Sequence, residues 1–280
     1  MNACYLCESV NADIRHKGVR DNPEINVLQC RDCGLVYLDS FSQITQDFYQ
    51  SSGMHSNEKY TIDEWRTEAA PDDERRFELL KEKVAGKDIL DFGCGAAGFL
   101  TLCNEVAKKA IGVELEERVI RFWRGELEIY NTIPDNKLFD VITSFHVFEH
   151  LKDPIEKLIK IRSSLKENGF VVIEVPNSDD ALLTLYDCDA FKAFSYWGQH
   201  LYLYNANNLK DLAKRAGFKN IVIKYIQRYP LANHLYWLAH GKPGGHSKWE
   251  FANRPNLNME YEKYLAEIGM TDTLMMFAST

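Results

Sequence analysis

Ile89-Leu90-Asp91-Phe92-Gly93-Cys94-Gly95-Ala96-Ala97-Gly98 is the stretch on which the reading of the fold turns. A short apolar run, the pattern of a buried strand, enters a Gly-x-Gly-x-x-Gly loop, and Phe99 to Lys108 follows with helical spacing. Glycines between a strand and a helix let the backbone approach a ligand closely, and the helix amino terminus favours the ligand's negative end. Ala110-Ile111-Gly112-Val113-Glu114 then reads as a second strand. Its closing carboxylate lies 21 residues after Gly93, where it can take both hydroxyls of a ribose.

Working outward, strand and helix patterns alternate. Phe139 to Phe145 reads as a buried strand, Asp153-Pro154 opens a helix that ends near Gly169, and Phe170 to Val175 is the next strand. Asn205 to Ala216 is a further helix stopped by Gly217, followed by a strand over Ile221 to Ile226. A last apolar strand falls within Thr271 to Thr280. This alternation predicts an α/β fold with a parallel sheet covered on both faces. Upstream, Pro71-Asp72-Asp73 reads as a helix start, and Phe77, Leu80 and Val84 carry its apolar spacing to Gly86. The aromatic stretch near 230–265 interrupts the domain, and a long insert of that kind is expected to form a lid or binding wall.

A dinucleotide and S-adenosylmethionine both suit this plan, and the wording of the loop separates them. Ile89 to Gly95 resembles the first motif of class I S-adenosylmethionine-dependent methyltransferases, in which an Asp ends the strand before the glycines. Phe139-Asp140-Val141-Ile142-Thr143-Ser144-Phe145-His146-Val147-Phe148-Glu149-His150-Leu151 resembles that family's fourth-strand motif, Gly169 to Pro176 its fifth strand, and residues 273–278 its reversed last strand. The resemblance implies a Rossmann-like, mainly parallel seven-stranded sheet with a reversed carboxy-terminal strand. It also implies cofactor contacts at Tyr60, Asp91, Gly93, Cys94, Gly95, Gly98, Phe99, Glu114, Leu115, Ser144, Phe145 and His146.

Four of the seven cysteines crowd the first 33 residues as Cys4-x-x-Cys7 and Cys30-x-x-Cys33. Each knuckle places two thiolates on one turn, and four thiolates suit tetrahedral zinc, so a structural zinc ribbon is expected here. The ribbon and Gln199-His200-Leu201-Tyr202-Leu203-Tyr204 together resemble zinc-ribbon methyltransferases acting on sugars and related bacterial metabolites. That resemblance implies a small polar acceptor, a sugar or sugar nucleotide, and Gln199 in place of a Glu favours O-methylation, with N-methylation next, over C-methylation. The alternatives are an RNA or protein methyltransferase that uses the ribbon for recognition and a non-enzymatic cofactor-binding module. His200 is the expected base, supported by His150, Glu149 and His146. The same four residues also have the types of a divalent-metal ligand set, although His rather than an acid stands first. The aromatics Tyr196, Trp197, Tyr202 and Tyr204 are candidates for stacking on a sugar ring.

The expected organisation is a ribbon over 1–40, a helical linker or cap over 41–85 and a methyltransferase domain over 86–280. The chain has 33 Lys+Arg against 41 Asp+Glu, a net charge of −8, which argues against nucleic acid as the partner. No apolar run reaches the length of a membrane span, and no secretory signal opens the sequence, so the expected location is the cytoplasm. A homodimer is compatible with the sequence.

Overall fold

The computed structural model describes residues 3–44, 48–50 and 60–280. The chain opens with three short strands, β1 (Ala12–His16), β2 (Val27–Cys30) and β3 (Val36–Leu38). Helix α1 (Ile62–Val84) leads into β4 (Asp88–Phe92), α2 (Gly98–Asn104), β5 (Lys109–Val113), α3 (Glu117–Phe122), β6 (Glu128–Tyr130) and β7 (Phe139–Phe145). There follow α4 (Pro154–Ser163), β8 (Leu165–Pro176), α5 (Asp189–Ser195), β9 (Tyr202–Leu203), α6 (Ala206–Arg215) and β10 (Asn220–Ile226). Helices α7 (Leu231–His240), α8 (Gly245–Lys248) and α9 (Pro255–Glu267) fill the insert before β11 (Thr273–Ser279).

The central sheet has seven strands in the order β10-β11-β8-β7-β4-β5-β6. Its ladders are parallel except for β11, which runs antiparallel to both β8 and β10. This is the expected Rossmann-like sheet with its reversed last strand. Ile89, Leu90, Ile111, Ile142, Val171, Val172 and Ile173 are fully buried, as strands covered on both faces require. Among the described residues no helix is long and apolar enough to cross a membrane.

Three helix boundaries depart from the sequence reading. The first is α2, which ends at Asn104 rather than Lys108, because the chain turns at 105–108 to enter β5 at Lys109. Helix α1 begins at Ile62, capped by Thr61 in a reciprocal box with Glu64, and Pro71 lies inside it rather than at its start. Proline removes one helical donor, and the exposed setting of Pro71 lets water serve the carbonyl left over. Helix α4 stops at Ser163 instead of near Gly169, because β8 already begins at Leu165 and pairs with Phe139. Strand β6 carries no strong apolar signal; its residues are half-buried or exposed at the edge of the sheet.

The amino-terminal strands form a second, antiparallel sheet of order β1-β2-β3-β9. Its outer strand comes from far down the chain, with Val36 opposite Leu203 and Tyr37 opposite Tyr202. The same buried cluster contains Cys4, Leu35 and Tyr37 of this sheet and Leu90, Ile142 and Ile173 of the large one.

Candidate active site

The glycine loop leaves β4 between two neighbours that need it to be glycine. Gly93 has φ 77°, and a Cβ there would sit 2.3 Å from Val147 Cγ2. A Cβ on Gly95 would meet the Trp65 ring of α1 at 3.1 Å, and one on Gly98 would meet the Asp73 carboxylate at 2.3 Å. Helix α1 therefore roofs the loop. Cys94 and Phe99 point into the core, and Phe99 packs edge-on against Phe145 with ring centroids 4.9 Å apart.

Asp91 is buried at the end of β4, where Thr143 Oγ1 donates to Oδ1 at 2.8 Å. Burial pushes its carboxyl up to about 7, with Asp73 and Glu114 adding to the effect and Thr143 and Arg76 opposing it. Glu114 closes the loop from the other side, accepting from the backbone N–H groups of Gly95 (2.8 Å), Leu115 (2.6 Å) and Glu116 (3.0 Å). Ser144 is fully buried, and its hydroxyl has no hydrogen-bond partner among the described residues. Leu115 is exposed beside Glu114. Tyr60, at the approach to α1, donates its hydroxyl to Glu68 and accepts at its carbonyl from Arg118. A buried carboxylate with one donor, an orphan hydroxyl and a carboxylate on the loop suit a ligand with a cationic end and a ribose. S-adenosylmethionine has both.

A charged network that the sequence reading did not single out lies next to this pocket. Glu174, fully buried in β8, accepts from Arg76 at 2.6 Å and from Arg75 at 2.9 Å. Burial works to raise its carboxyl, but Arg76, His146 and Arg75 hold it well below the usual carboxylate range. Asp73 pairs with Arg76 at 3.3 Å, and burial still pushes it up to about 6. Asp72 joins Arg75 to Arg228, which follows β10 and reaches His146 Nε2 at 3.2 Å. A single carboxylate inside the otherwise apolar run Val171 to Val175 was the available signal. Its partners, about a hundred residues away, left none.

His146, just past β7, has φ 54°, a strained conformation for a side chain of this size. Its Nδ1–H donates to Glu149 Oε1 at 3.1 Å. His150 Nδ1–H donates to the Gln199 carbonyl at 2.8 Å, and the rings of His150 and His200 lie 5.1 Å apart. Glu149, His150 and His200 thus converge, with one ligand atom of each within 4.8 Å of the others. Burial lowers the His200 imidazole to about 3, and neighbouring His150 adds to this. Glu149 is held down at about 2, since His146 outweighs the effect of burial.

The segment carrying His200 is held by the amino-terminal sheet. Arg20 N–H donates to Tyr196 O, Asp21 accepts from Gly198 N–H at 2.8 Å, and Leu38 N–H donates to Leu201 O at 3.1 Å. Tyr196, Tyr202 and Tyr204 are buried, so sugar stacking by these three is corrected to core packing; Trp197 alone of the four stays half-exposed. Beyond Arg228 a cleft of about 360 Å³ opens, lined by His246, Asn258 and Tyr261 of the insert. In the amino-terminal cysteine cluster, Cys4 Sγ lies 3.5 Å from Cys33 Sγ and Cys7 Sγ 3.4 Å from Cys30 Sγ. All four sulfurs lie within 4.8 Å of one another.

The sheet order, the loop that follows β4 and the two carboxylates around that loop define the class I methyltransferase fold. Comparison with known proteins agrees: a family model described as a methyltransferase domain matches residues 60–223, more than half of the chain. The chain belongs to this family of methyltransferase domains. A tRNA U34 carboxymethyltransferase of Aeromonas salmonicida is 31% identical over 105 residues, covering 32% of this chain and 32% of that relative. A protein of Mycolicibacterium smegmatis named for S-adenosylmethionine-dependent methyl transfer is 28% identical over 110 residues, 36% of this chain and 42% of the other. The chain thus spans well under half the length of these curated relatives. In fold it is similar to an S-adenosylmethionine-dependent methyltransferase of Archaeoglobus fulgidus, with TM-score 0.51, 22% identity and coverage of 74% of this chain and 92% of that one. It is also similar to phosphoethanolamine N-methyltransferase 2 of Haemonchus contortus, with TM-score 0.52, 18% identity and coverage of 86% and 60%.

Proposed function

We propose that the chain methylates a hydroxyl of a small polar acceptor, a sugar or sugar nucleotide, held between the His146–Glu149–His150–His200 cluster and the cleft beyond Arg228. Asp91, Gly93, Cys94, Gly95, Gly98, Phe99, Glu114, Leu115, Ser144, Phe145, His146 and Tyr60 are the residues proposed to surround the cofactor. When bound, S-adenosylmethionine supplies the methyl carbon: its bond to sulfur breaks with the electron pair left on sulfur as the carbon–oxygen bond forms. Asp91 would hold the cationic end and Glu114 the ribose, while α1 excludes water from above the loop. His200 is the proposed proton acceptor. So weak a base takes the hydroxyl proton only as the new bond makes that oxygen acidic, so positioning carries most of the catalysis. The insert would act as the lid, and a zinc ion on Cys4, Cys7, Cys30 and Cys33 would be structural.

The observation that carries this reading is the convergence of Glu149, His150 and His200, beside a turn whose Val147 lies against Gly93. A nucleic-acid acceptor is the second reading, prompted by the tRNA-modifying relative. The net charge of −8 opposes it, since a phosphate backbone gains little from an acidic surface. The test is transfer of labelled methyl from S-adenosylmethionine to a panel of sugars, sugar nucleotides and unmodified tRNA. Label on tRNA alone would overturn the small-acceptor reading.

A further inference from the structure

We infer that Glu149, His150 and His200 form a binding site for one divalent first-row cation, which holds the acceptor's hydroxyl oxygen. This deepens the functional reading above, and it recasts His200 as a ligand whenever the cation is bound.

Three observations point the same way. One ligand atom from each residue lies within 4.8 Å of the other two, on a loop that follows β7 and on the segment before β9. A cation with bonds of about 2.1 Å needs ligand atoms roughly 3–4 Å apart, so closing the site takes side-chain shifts of about 1 Å. Second, Glu149 Oε2 and His200 Nδ1 are buried with no hydrogen-bond partner among the described residues. A buried carboxylate oxygen and a buried ring nitrogen left unpaired are both costly, and a cation satisfies the two together.

Third, the supporting contacts are those that orient metal ligands. His150 gives its Nδ1–H to the Gln199 carbonyl, which leaves Nε2 carrying the lone pair. Glu149 spends Oε1 on His146 Nδ1–H, which leaves Oε2 for the site. A hydrogen bond from each ligand's far side fixes its tautomer or rotamer and raises its strength as a donor. Two imidazoles and one carboxylate favour Mn²⁺, Fe²⁺, Co²⁺ or Zn²⁺ over Ca²⁺ or Mg²⁺, and three protein ligands leave positions for an outside oxygen. A hydroxyl bound there would be made more acidic by the cation and would give its proton to bulk water, since His200 as a ligand has no lone pair left to accept it.

Cobalt separates this site from the cysteine cluster. The full chain, stripped of metal and kept anaerobic, is titrated with Co²⁺ in the absence of any acceptor. The expected result is two equivalents: one with intense thiolate-to-cobalt absorption, the other with weak ligand-field bands alone. Glu149→Gln and His200→Ala are expected to weaken the second roughly a hundredfold or more and to leave the first unchanged. Retained S-adenosylhomocysteine binding shows that the variants are folded. If either fails to fold, the wild-type Co²⁺ chain decides by proton NMR, where shifted signals of two imidazoles are expected. Saturation at the thiolate equivalent alone, a second equivalent indifferent to both variants, or no shifted imidazole signals would overturn the inference. A chain that binds the second ion and methylates no sugar would leave the site standing and remove the acceptor reading instead.

Discussion

Asp91 is where cofactor binding and proton binding meet. Its carboxyl is pushed up to about 7 by burial, facing Thr143, Asp73, Arg76 and Glu114, so much of the ligand-free protein carries it protonated at neutral pH. A cationic ligand end favours the ionised form, so affinity for S-adenosylmethionine should rise with pH through about 7, and binding at pH 6 should release a proton. Calorimetry in buffers of different ionisation enthalpy measures that proton. Asp91→Asn should weaken binding roughly ten- to a hundredfold, the worth of a charge-assisted hydrogen bond, and flatten the pH dependence. An unchanged pH profile in Asp91→Asn would assign the proton elsewhere. Gly93→Ala is a second test at this scale. The new methyl would face Val147 Cγ2 at 2.3 Å from a backbone at φ 77°, so a loss of about 1–3 kcal/mol in stability is expected, together with loss of cofactor binding. Thermal melting and cofactor titration check the two halves separately.

At the scale of elements, α1 is tied to the sheet by the pair between Arg76 and the fully buried Glu174. Arg76→Met should cost about 3 kcal/mol, because it strips the nearest cation from a carboxylate that has left water. Adding Glu174→Leu should recover much of that loss; Arg75, partly exposed, can turn to solvent. Urea unfolding of the single and double variants would show it, and a double variant no more stable than Arg76→Met would count against the argument. Those residues also mark where sequence reading ran out. The apolar strands and the glycine loop were legible, because each is written in local pattern or in motif. His150 and His200, fifty residues apart, were brought to one edge only by the resemblance. Helix α1 was misjudged at Pro71 because proline usually opens helices, whereas here the Thr61–Glu64 box opens it. Arg75, Arg76, Asp72 and Arg228 meet Glu174 and His146 only through the tertiary fold, and no local spacing announces that. The amino-terminal cysteine cluster gives another test at this scale. Arg20, Asp21 and Leu38 hold the segment bearing His200, so Cys33→Ser should lower methyl transfer roughly a hundredfold through misplacement of that histidine. S-adenosylhomocysteine affinity should stay as it was, since the cofactor loop lies on other strands.

For the whole molecule, the buried carboxylates set an unusual pH dependence of stability. Asp91 and Asp180 titrate at about 7 and about 8 in the folded state, both raised first by burial, against a usual value of 3.8. Groups raised in this way favour the fold while protonated, so their contribution is full below 3.8 and is lost progressively as pH rises to about 7 for Asp91 and to about 8 for Asp180. His234, lowered by burial to about 4, acts in the opposite sense: its contribution is present above 6.5 and lost as pH falls toward 4. Glu174, held well below 4.5, adds a further loss in acid. Below 6.5 the acids and His234 oppose each other; above it only the acids titrate, so the melting temperature of the ligand-free chain should fall from pH 6.5 to about 8. Asp180→Asn should shrink that alkaline fall, and thermal scans across pH would measure it.

The joining of β3 to β9 has a consequence for biosynthesis. A chain emerging from the ribosome presents Val36, Tyr37 and Leu38 as an open, apolar edge long before Tyr202 and Leu203 exist to cover it. Such an edge is a template for pairing with a neighbouring nascent chain. Truncated products ending before residue 202 should accordingly aggregate through their first forty residues, while release of the complete chain closes the small sheet.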